Sequence, residues 1–321
     1  MHRNHGVVWI SGFFSVQTKL LNKRAELMDS QTKAYAYTFL AILAWSTVAS
    51  AFKLSLQHLN FIQLLFFASG TSAIVLFAIV VFQKKLNILF TYSKKEYLNS
   101  ALLGFLNPFL YYFVLFQAYA VLPAQEAQSL NYTWAIMLAI LSIPLLKQKI
   151  SLTSILAIII SFLGTIVIAT HGNIFGLQFT NLYGAVLALG SSLIWALFWI
   201  YNVKDKRDPV VKLFLNGLFG FMFIALVSLL IAPITWPNVS GLLGSVYVGL
   251  FEMSFTFAVW LTALQLSKTT AQVTNLVYLS PFLSLIVIHF MVPGEEILLS
   301  TVLGLILIIA GVLLQQRNKK N

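Results

Sequence analysis

Residues Phe61–Phe82 read FIQLLFFASGTSAIVLFAIVVF, 22 residues without a charged side chain, flanked by Asn60 and by Lys84-Lys85. A helix rises 1.5 Å per residue, so about 20 apolar residues cross the roughly 30 Å of bilayer hydrocarbon. A barrel strand would be about 10 residues of alternating polarity. This run is twice that length and apolar on every face, so it predicts a membrane-spanning helix.

Working outward, nine further stretches have the same character: Ala34–Leu56, Tyr97–Leu122, Pro123–Leu146, Ser151–Thr170, Leu182–Val203, Val210–Ala232, Leu242–Leu266, Thr269–Val292 and Ile297–Gln316. Ten spans agree with the composition, which is 59% hydrophobic and only 9% charged with a mean hydropathy of +0.88. A soluble domain is about 25% charged, so the predicted solvent is lipid. The chain has no cysteine, which excludes disulfides, thiolate zinc sites and cysteine nucleophiles.

The net charge of +11 invites a nucleic-acid reading that the placement of the cations refuses. They fall in alternate loops. Arg3, Lys19, Lys23, Arg24 and Lys33 precede the first span, and Lys84, Lys85, Lys94 and Lys95 follow the second. Lys147 and Lys149 follow the fourth, Lys204, Lys206, Arg207 and Lys212 surround the sixth-to-seventh turn, and Lys268 lies between the eighth and ninth. Arg317, Lys319 and Lys320 close the chain. The other five loops hold none, and Lys53 is the one cation out of place. Cytoplasmic loops carry the Lys and Arg excess, so both termini are predicted to be cytoplasmic. Residues 1–33 are expected to form a cytoplasmic tail. Gly6–Val16 is too short to span and suits an interfacial or disordered segment, while Met28 opens a segment that suits a translation start.

The chain repeats itself. Ser100, Gly104, Asn107 and Tyr111 match Ser245, Gly249, Glu252 and Thr256 at an offset of 145. Ala124-Gln125 and Gln128 match Ala271-Gln272 and Asn275 at 147, as Gly164 matches Gly311. The predicted fold is therefore an all-α integral membrane protein of ten transmembrane helices in two five-helix halves, 34–170 and 182–317. Five is odd, so the second half enters from the opposite face and the halves are inverted repeats. Such carriers hold their site near the midplane between repeats.

Several residues resemble the EamA type of the drug/metabolite transporter superfamily. Ala271 is followed by Pro281 in the ninth span, then Gly294-Glu295-Glu296, then Gly304 and Gly311 in the tenth, while Trp45 resembles the family's tryptophan in the first. Trp134 departs from the family, which often has proline there. The resemblance covers residues 34–317. It implies a secondary transporter, usually an exporter of amino acids, other metabolites or drugs, in a cytoplasmic membrane, here expected to be bacterial. It also implies a central cavity lined by spans 1, 3, 4, 6, 8 and 9.

Ionisable groups inside a membrane cost about 2.5–3.5 kcal/mol on insertion scales and mark function by default. Glu252 is eleventh in its span and its repeat partner Asn107 is eleventh in its own, so both lie near the midplane. Glu252 is read either as binding an amine-bearing substrate or as carrying a coupling proton. The plain alternative is a hydrogen bond that glues two helices. Glu126 lies near the outer end of the fourth span, and Lys53, near the outer end of the first, can snorkel. Gln125, Gln128 and Tyr132 share one helix face, as do Gln272, Asn275 and Tyr278 or Leu279, which predicts a polar gate near each membrane surface; helix-end capping is the alternative. Tyr111 and Thr256 complete the matched set. Trp45, Trp195, Trp199 and Trp260 fall on the implied lining spans and could stack on a flat or apolar substrate, or serve as belt and packing residues.

No phosphate loop, His-x-x-x-His metal pair or Gly-x-Ser-x-Gly elbow is present. The expected partners are a small-molecule substrate, lipid and, under the coupling reading, protons; no cofactor or nucleic acid is expected. A membrane-embedded enzyme is the rival class, disfavoured by sparse and dispersed chemistry, and a channel is the third.

Overall fold

The structure is a computed structural model that describes residues 5–134, 137, 140–141, 144–145, 152–175, 180–231, 234–266, 276–277 and 279–317. Among them there is no strand. Six helices are long and apolar enough to cross a membrane: Ser30–Ser55, Phe61–Phe82, Lys94–Val121, Leu182–Asn202, Pro209–Ile231 and Val239–Ala263. Shorter apolar helices run Ile159–Ile168, Leu279–Met291 and Leu299–Gly311.

The order is α1 (His5–Ser55), α2 (Phe61–Phe82), α3 (Leu86–Leu89), α4 (Lys94–Gly104), a π-helical stretch at Phe105–Leu110, α5 (Tyr111–Val121) and α6 (Ala124–Asn131). After these come α7 (Leu152–Ala169), α8 (Leu182–Lys204), α9 (Pro209–Ile231), α10 (Val239–Phe251), α11 (Phe255–Leu266), α12 (Leu279–Met291) and α13 (Leu299–Arg317). Helix α1 continues back to His5, so Gly6–Val16 is helical, which removes the disordered reading of that stretch and suits the interfacial one.

The helix starts follow from residues at the water boundary. Asn60 and Gln63 form a capping box on α2, and Ser93 and Glu96 do the same on α4. Asn181, Asp208 and Asn238 accept from the first backbone N–H groups of α8, α9 and α10. The distribution of polarity is that of a bilayer protein. Ile74, Phe82, Leu229 and Phe290 are exposed, while Ser69, Ser72, Ser228 and Ser284 are buried. Lipid is apolar already, so close packing and buried hydrogen bonds hold the helices together.

Two spans are broken. In the third, Asn107 leaves the helix at φ −152°, ψ 123°, with a cis peptide bond to Pro108. Proline lacks an N–H and drives the residue before it toward extended backbone. In the eighth, α10 ends at Phe251, Glu252–Ser254 form a turn, and α11 restarts at Phe255. Carbonyls freed by this second break are met by side chains: Ser254 Oγ donates to Gly249 O (2.6 Å), Ser72 Oγ to Met253 O (2.9 Å), and Thr256 Oγ1 to Phe251 O.

The packing has a regular pattern. Helix α2 lies against α9 and α10, and α9 lies against α4. Helix α1 packs on α10, α11 and α12; α8 packs on the π stretch, α5 and α6. Helices α7 and α13 pair with each other. Gly164 and Gly304 meet where α7 crosses α13, and Gly220 leaves room for Pro108 at the third-span break.

Candidate functional site

The breaks set the site, because a non-helical turn inside a span turns side chains inward that a continuous helix would carry past. Glu252 occupies the second break and is 5% exposed. Its Oε1 accepts a hydrogen bond from the Tyr112 hydroxyl at 2.9 Å. Its Oε2 is buried and has no hydrogen-bond partner among the described residues. The Trp45 indole approaches the same carboxyl. Tyr111, Tyr119 and Tyr132 are within electrostatic reach of it.

Aromatic rings continue from this carboxyl. Tyr111 lies against Tyr112 (centroids 4.6 Å apart) and Trp195 (4.5 Å). Trp195 meets Trp199 at 5.8 Å and Phe257 at 5.5 Å. Trp45 and Trp260 are 5.7 Å apart. The Tyr111 hydroxyl donates to Asn131 Oδ1 (3.2 Å), and Asn131 Nδ2 to Ser191 Oγ (2.8 Å). The structure therefore brings together Glu252, Tyr111, Trp45, Trp195 and Trp199.

Other predicted residues fall elsewhere. Asn107 is buried at its own break with Nδ2 unpartnered among the described residues. Thr256 donates its hydroxyl proton to Phe251 O, across the turn that holds Glu252. Gln125, Glu126 and Gln128 are all buried on α6. Gln125 Nε2 donates to Glu296 O, and the Ala124 N–H donates to Glu295 Oε1 at 2.6 Å, which ties the start of α6 to the loop between α12 and α13. Glu126 lies 3.4 Å from His171 Nε2, and His171 is 2.9 Å from Thr180 Oγ1. Lys53 Nζ donates to Tyr119 O (3.1 Å) and Leu122 O (2.6 Å) at the end of α5. Gln272, Asn275 and Tyr278 lie outside the described residues; Leu279 is exposed.

Sequence reasoning did not single out Tyr112, Asn131 or Ser191. Tyr112 adjoins Tyr111, and the helical phase that would choose between them is reset by the break. The Asn107-Pro108 dipeptide was the available sign of that break.

A second hydrogen-bonded cluster closes the other end of the bundle. Arg207 pairs with Asp205, with Nε 3.0 Å from both carboxyl oxygens, and both side chains are nearly buried. Arg207 also donates to Glu96 O at 2.8 Å and lies over the Tyr92 ring. Asn99 Nδ2 donates to Asp205 Oδ2 (3.1 Å), and Lys85 pairs with Asp208 at 2.9 Å. Burial works to raise the Asp205 carboxyl, but hydrogen bonds from Arg207 and the charges of Arg207 and Lys212 outweigh it and hold the group below its ordinary range.

Comparison with known proteins agrees with this architecture. An uncharacterized transporter of Archaeoglobus fulgidus is 25% identical over 288 residues, 88% of this chain and 97% of that protein. The uncharacterized transporter YvbV of Bacillus subtilis is 26% identical over 231 residues, 70% of this chain and 72% of its own. The aromatic amino acid exporter YddG of Ancylobacter novellus is 24% identical over 153 residues, 47% of this chain and 53% of its own. A protein of known crystal structure superposes with a TM-score of 0.64 over 90% of this chain and 99% of that one, at 22% identity, a likeness of fold alone. The pattern of the EamA-like transporter family matches residues 32–170 and again 182–315. With nearly the whole chain matched, this integral membrane protein belongs to the EamA-like transporter family.

Proposed function

We propose that the chain is a secondary transporter that exports small organic solutes across a bacterial cytoplasmic membrane by alternating access, with both termini cytoplasmic. Its ten spans form two inverted five-helix repeats, 34–170 and 182–317. The observation that carries the reading is the pair of breaks at Asn107 and Glu252, residues that occupy matching positions of the two halves. Discontinuous helices meeting near the midplane are where such carriers bind substrate. The packing supports the repeats. Exchanging each helix for its counterpart five spans on turns α2–α10 into α9–α4 and α1–α11 into α8–α5, and every one of these contacts is made.

In this reading Glu252 with Tyr111, Trp45, Trp195 and Trp199 holds the solute. Asn107 is the uncharged counterpart of Glu252, and a proton on Glu252 is the coupling ion. Gln125, Glu126 and Gln128 form the outer polar gate, and Gln272 and Asn275 the inner one. The aromatic lining suits a solute with a flat or apolar ring, in keeping with the relative named as an aromatic amino acid exporter. An enzyme would need a clustered acid, base and nucleophile, and the described polar groups at Glu252 are hydroxyls and an indole.

Untargeted metabolite profiling of cells with and without the protein tests the reading, followed by flux of each changed solute in proteoliposomes. The expected result is depletion inside, accumulation in the medium, and saturable flux that shows counter-transport. Flux without saturation would mean a channel, and turnover in detergent without vesicles would mean an enzyme.

A further inference from the structure

We propose that the solute bound at Glu252 is an organic ammonium ion carrying an aromatic ring and no carboxylate, an arylalkylamine rather than an amino acid. This deepens the proposed function and rests on its placing of the solute at Glu252. The chemistry at the carboxyl is one-sided. Glu252 Oε1 takes the Tyr112 proton, and the buried Oε2 is left open among the described residues. A buried carboxylate oxygen without a partner is costly, and an ammonium N–H supplies both the charge and the donor that it lacks. Tyr112 and Trp45 adjoin the carboxyl, Tyr111 lies against Tyr112, and Trp195 against Tyr111. Ring faces attract cations and stack on rings, so one surface serves both ends of an arylalkylamine.

An amino acid also brings a carboxylate, which would need a cation of its own beside Glu252. Among the described residues, the polar groups acting on Glu252 are Tyr112 and Trp45. The lysines inside the spans are turned to the bundle ends. Lys53 Nζ is held by Tyr119 O and Leu122 O, and Lys212 Nζ by Asn202 O (2.9 Å) and Asp205 O (2.8 Å). A substrate carboxylate at this site would face the Glu252 charge in a low dielectric, where like charges repel strongly.

The test uses the purified full chain, phenethylamine, phenylalanine and the uncharged N-acetylphenethylamine. Binding is measured by titration calorimetry in detergent and flux in proteoliposomes. The expected result is saturable binding and flux of phenethylamine, binding of the other two weaker by about tenfold or more, and a loss of about tenfold or more for phenethylamine in Glu252→Gln. The three-ligand comparison is made on the wild type, so it decides the matter even if Glu252→Gln does not purify. Phenylalanine bound and carried as well as or better than phenethylamine would overturn the inference while leaving the carrier reading standing. Equal binding of phenethylamine and its acetyl derivative, or no binding of either, would also overturn it. Phenethylamine bound through Glu252 without saturable flux would uphold the ammonium site and sink the carrier reading instead.

Discussion

The Tyr112 hydroxyl donates to Glu252 Oε1 over 2.9 Å and thereby joins the regions of two helix breaks through residues 140 apart in sequence. Tyr112 is the second residue of α5, the helix after the first break, and Glu252 lies in the second break. Replacing Tyr112 with Phe leaves both carboxyl oxygens unpaired, so Tyr112→Phe should lower stability by about 1–3 kcal/mol. In a Glu252→Gln background the same change should cost about 1 kcal/mol, because a neutral amide is cheaper to leave unpaired. Thermal unfolding of the four proteins in detergent measures this coupling. Additive losses would show that the bond is worth no more to the carboxyl than to a neutral amide.

Membrane character and helix positions were legible from the sequence because both are local. An apolar run such as Phe61–Phe82, bounded by Asn60 and the lysines, contains its own instructions, and its helix matches the predicted bounds. Glu252 stood out in the sequence because a carboxylate placed mid-span among apolar residues costs stability that a neutral side chain would not. Its hydrogen-bond partner did not, because the choice of Tyr112 over Tyr111 depends on backbone geometry at Asn107-Pro108. Thr256 shows the same limit from the other side. Its match to Tyr111 in the repeat is a match of position, while its hydroxyl serves the backbone of its own break.

Glycines at the α7–α13 crossing should tolerate nothing larger. A Cβ at Gly164 would collide with the Gly304 carbonyl, and one at Gly304 with that of Gly164. Backbone cannot move aside as a side-chain tip can, so Gly164→Ala and Gly304→Ala should each cost about 1–3 kcal/mol. Gly190 has open space where its Cβ would go, so Gly190→Ala should be neutral or slightly stabilising, since alanine favours helix by up to about 1 kcal/mol. Melting temperatures in detergent distinguish these outcomes, and equal losses at all three positions would refute the packing account.

Topology gives a prediction that is independent of substrate. Trp236 is exposed at the turn between α9 and α10, and Lys94 starts α4 on the side assigned to the cytoplasm by the cation pattern. With no native cysteine to remove, Trp236→Cys should react with an impermeant maleimide in intact cells. Lys94→Cys should react only after permeabilisation. Labelling of Lys94→Cys in intact cells would invert the orientation.

Asp205 should make its cluster with Arg207 acid-sensitive. Its carboxyl is held below its ordinary range, so it stabilises the fold at pH values above that range and ceases to do so as pH falls through the depressed value. Asp205→Asn removes the titration and a charge-assisted bond, at a cost of about 1.5–3 kcal/mol near neutral pH. The stability gap between wild type and Asp205→Asn should narrow steadily as the medium is acidified. A gap that is constant with pH would mean that Arg207 is held by geometry and not by the charge of Asp205.

Gln125 should act on access rather than on folding. Its Nε2 donates to Glu296 O, its Oε1 has no partner among the described residues, and the adjacent Ala124 N–H is already met by Glu295. Gln125→Ala therefore removes one contact between the start of α6 and the loop before α13 without orphaning a helix end. One hydrogen bond contributes about 0.5–1.5 kcal/mol net. If the contact exists only while the outer side is closed, its loss shifts the closed-to-open ratio by the same free energy, about two- to twelvefold. Ser280 reports the shift. It is buried on α12 beside Tyr132, and cysteine is nearly isosteric with serine, so Ser280→Cys changes little by itself. Reaction of that cysteine with an impermeant reagent added outside should be faster by the same factor when Gln125→Ala is added, while the melting temperature falls only slightly. An unchanged reaction rate would assign Gln125 to capping and remove it from the gate.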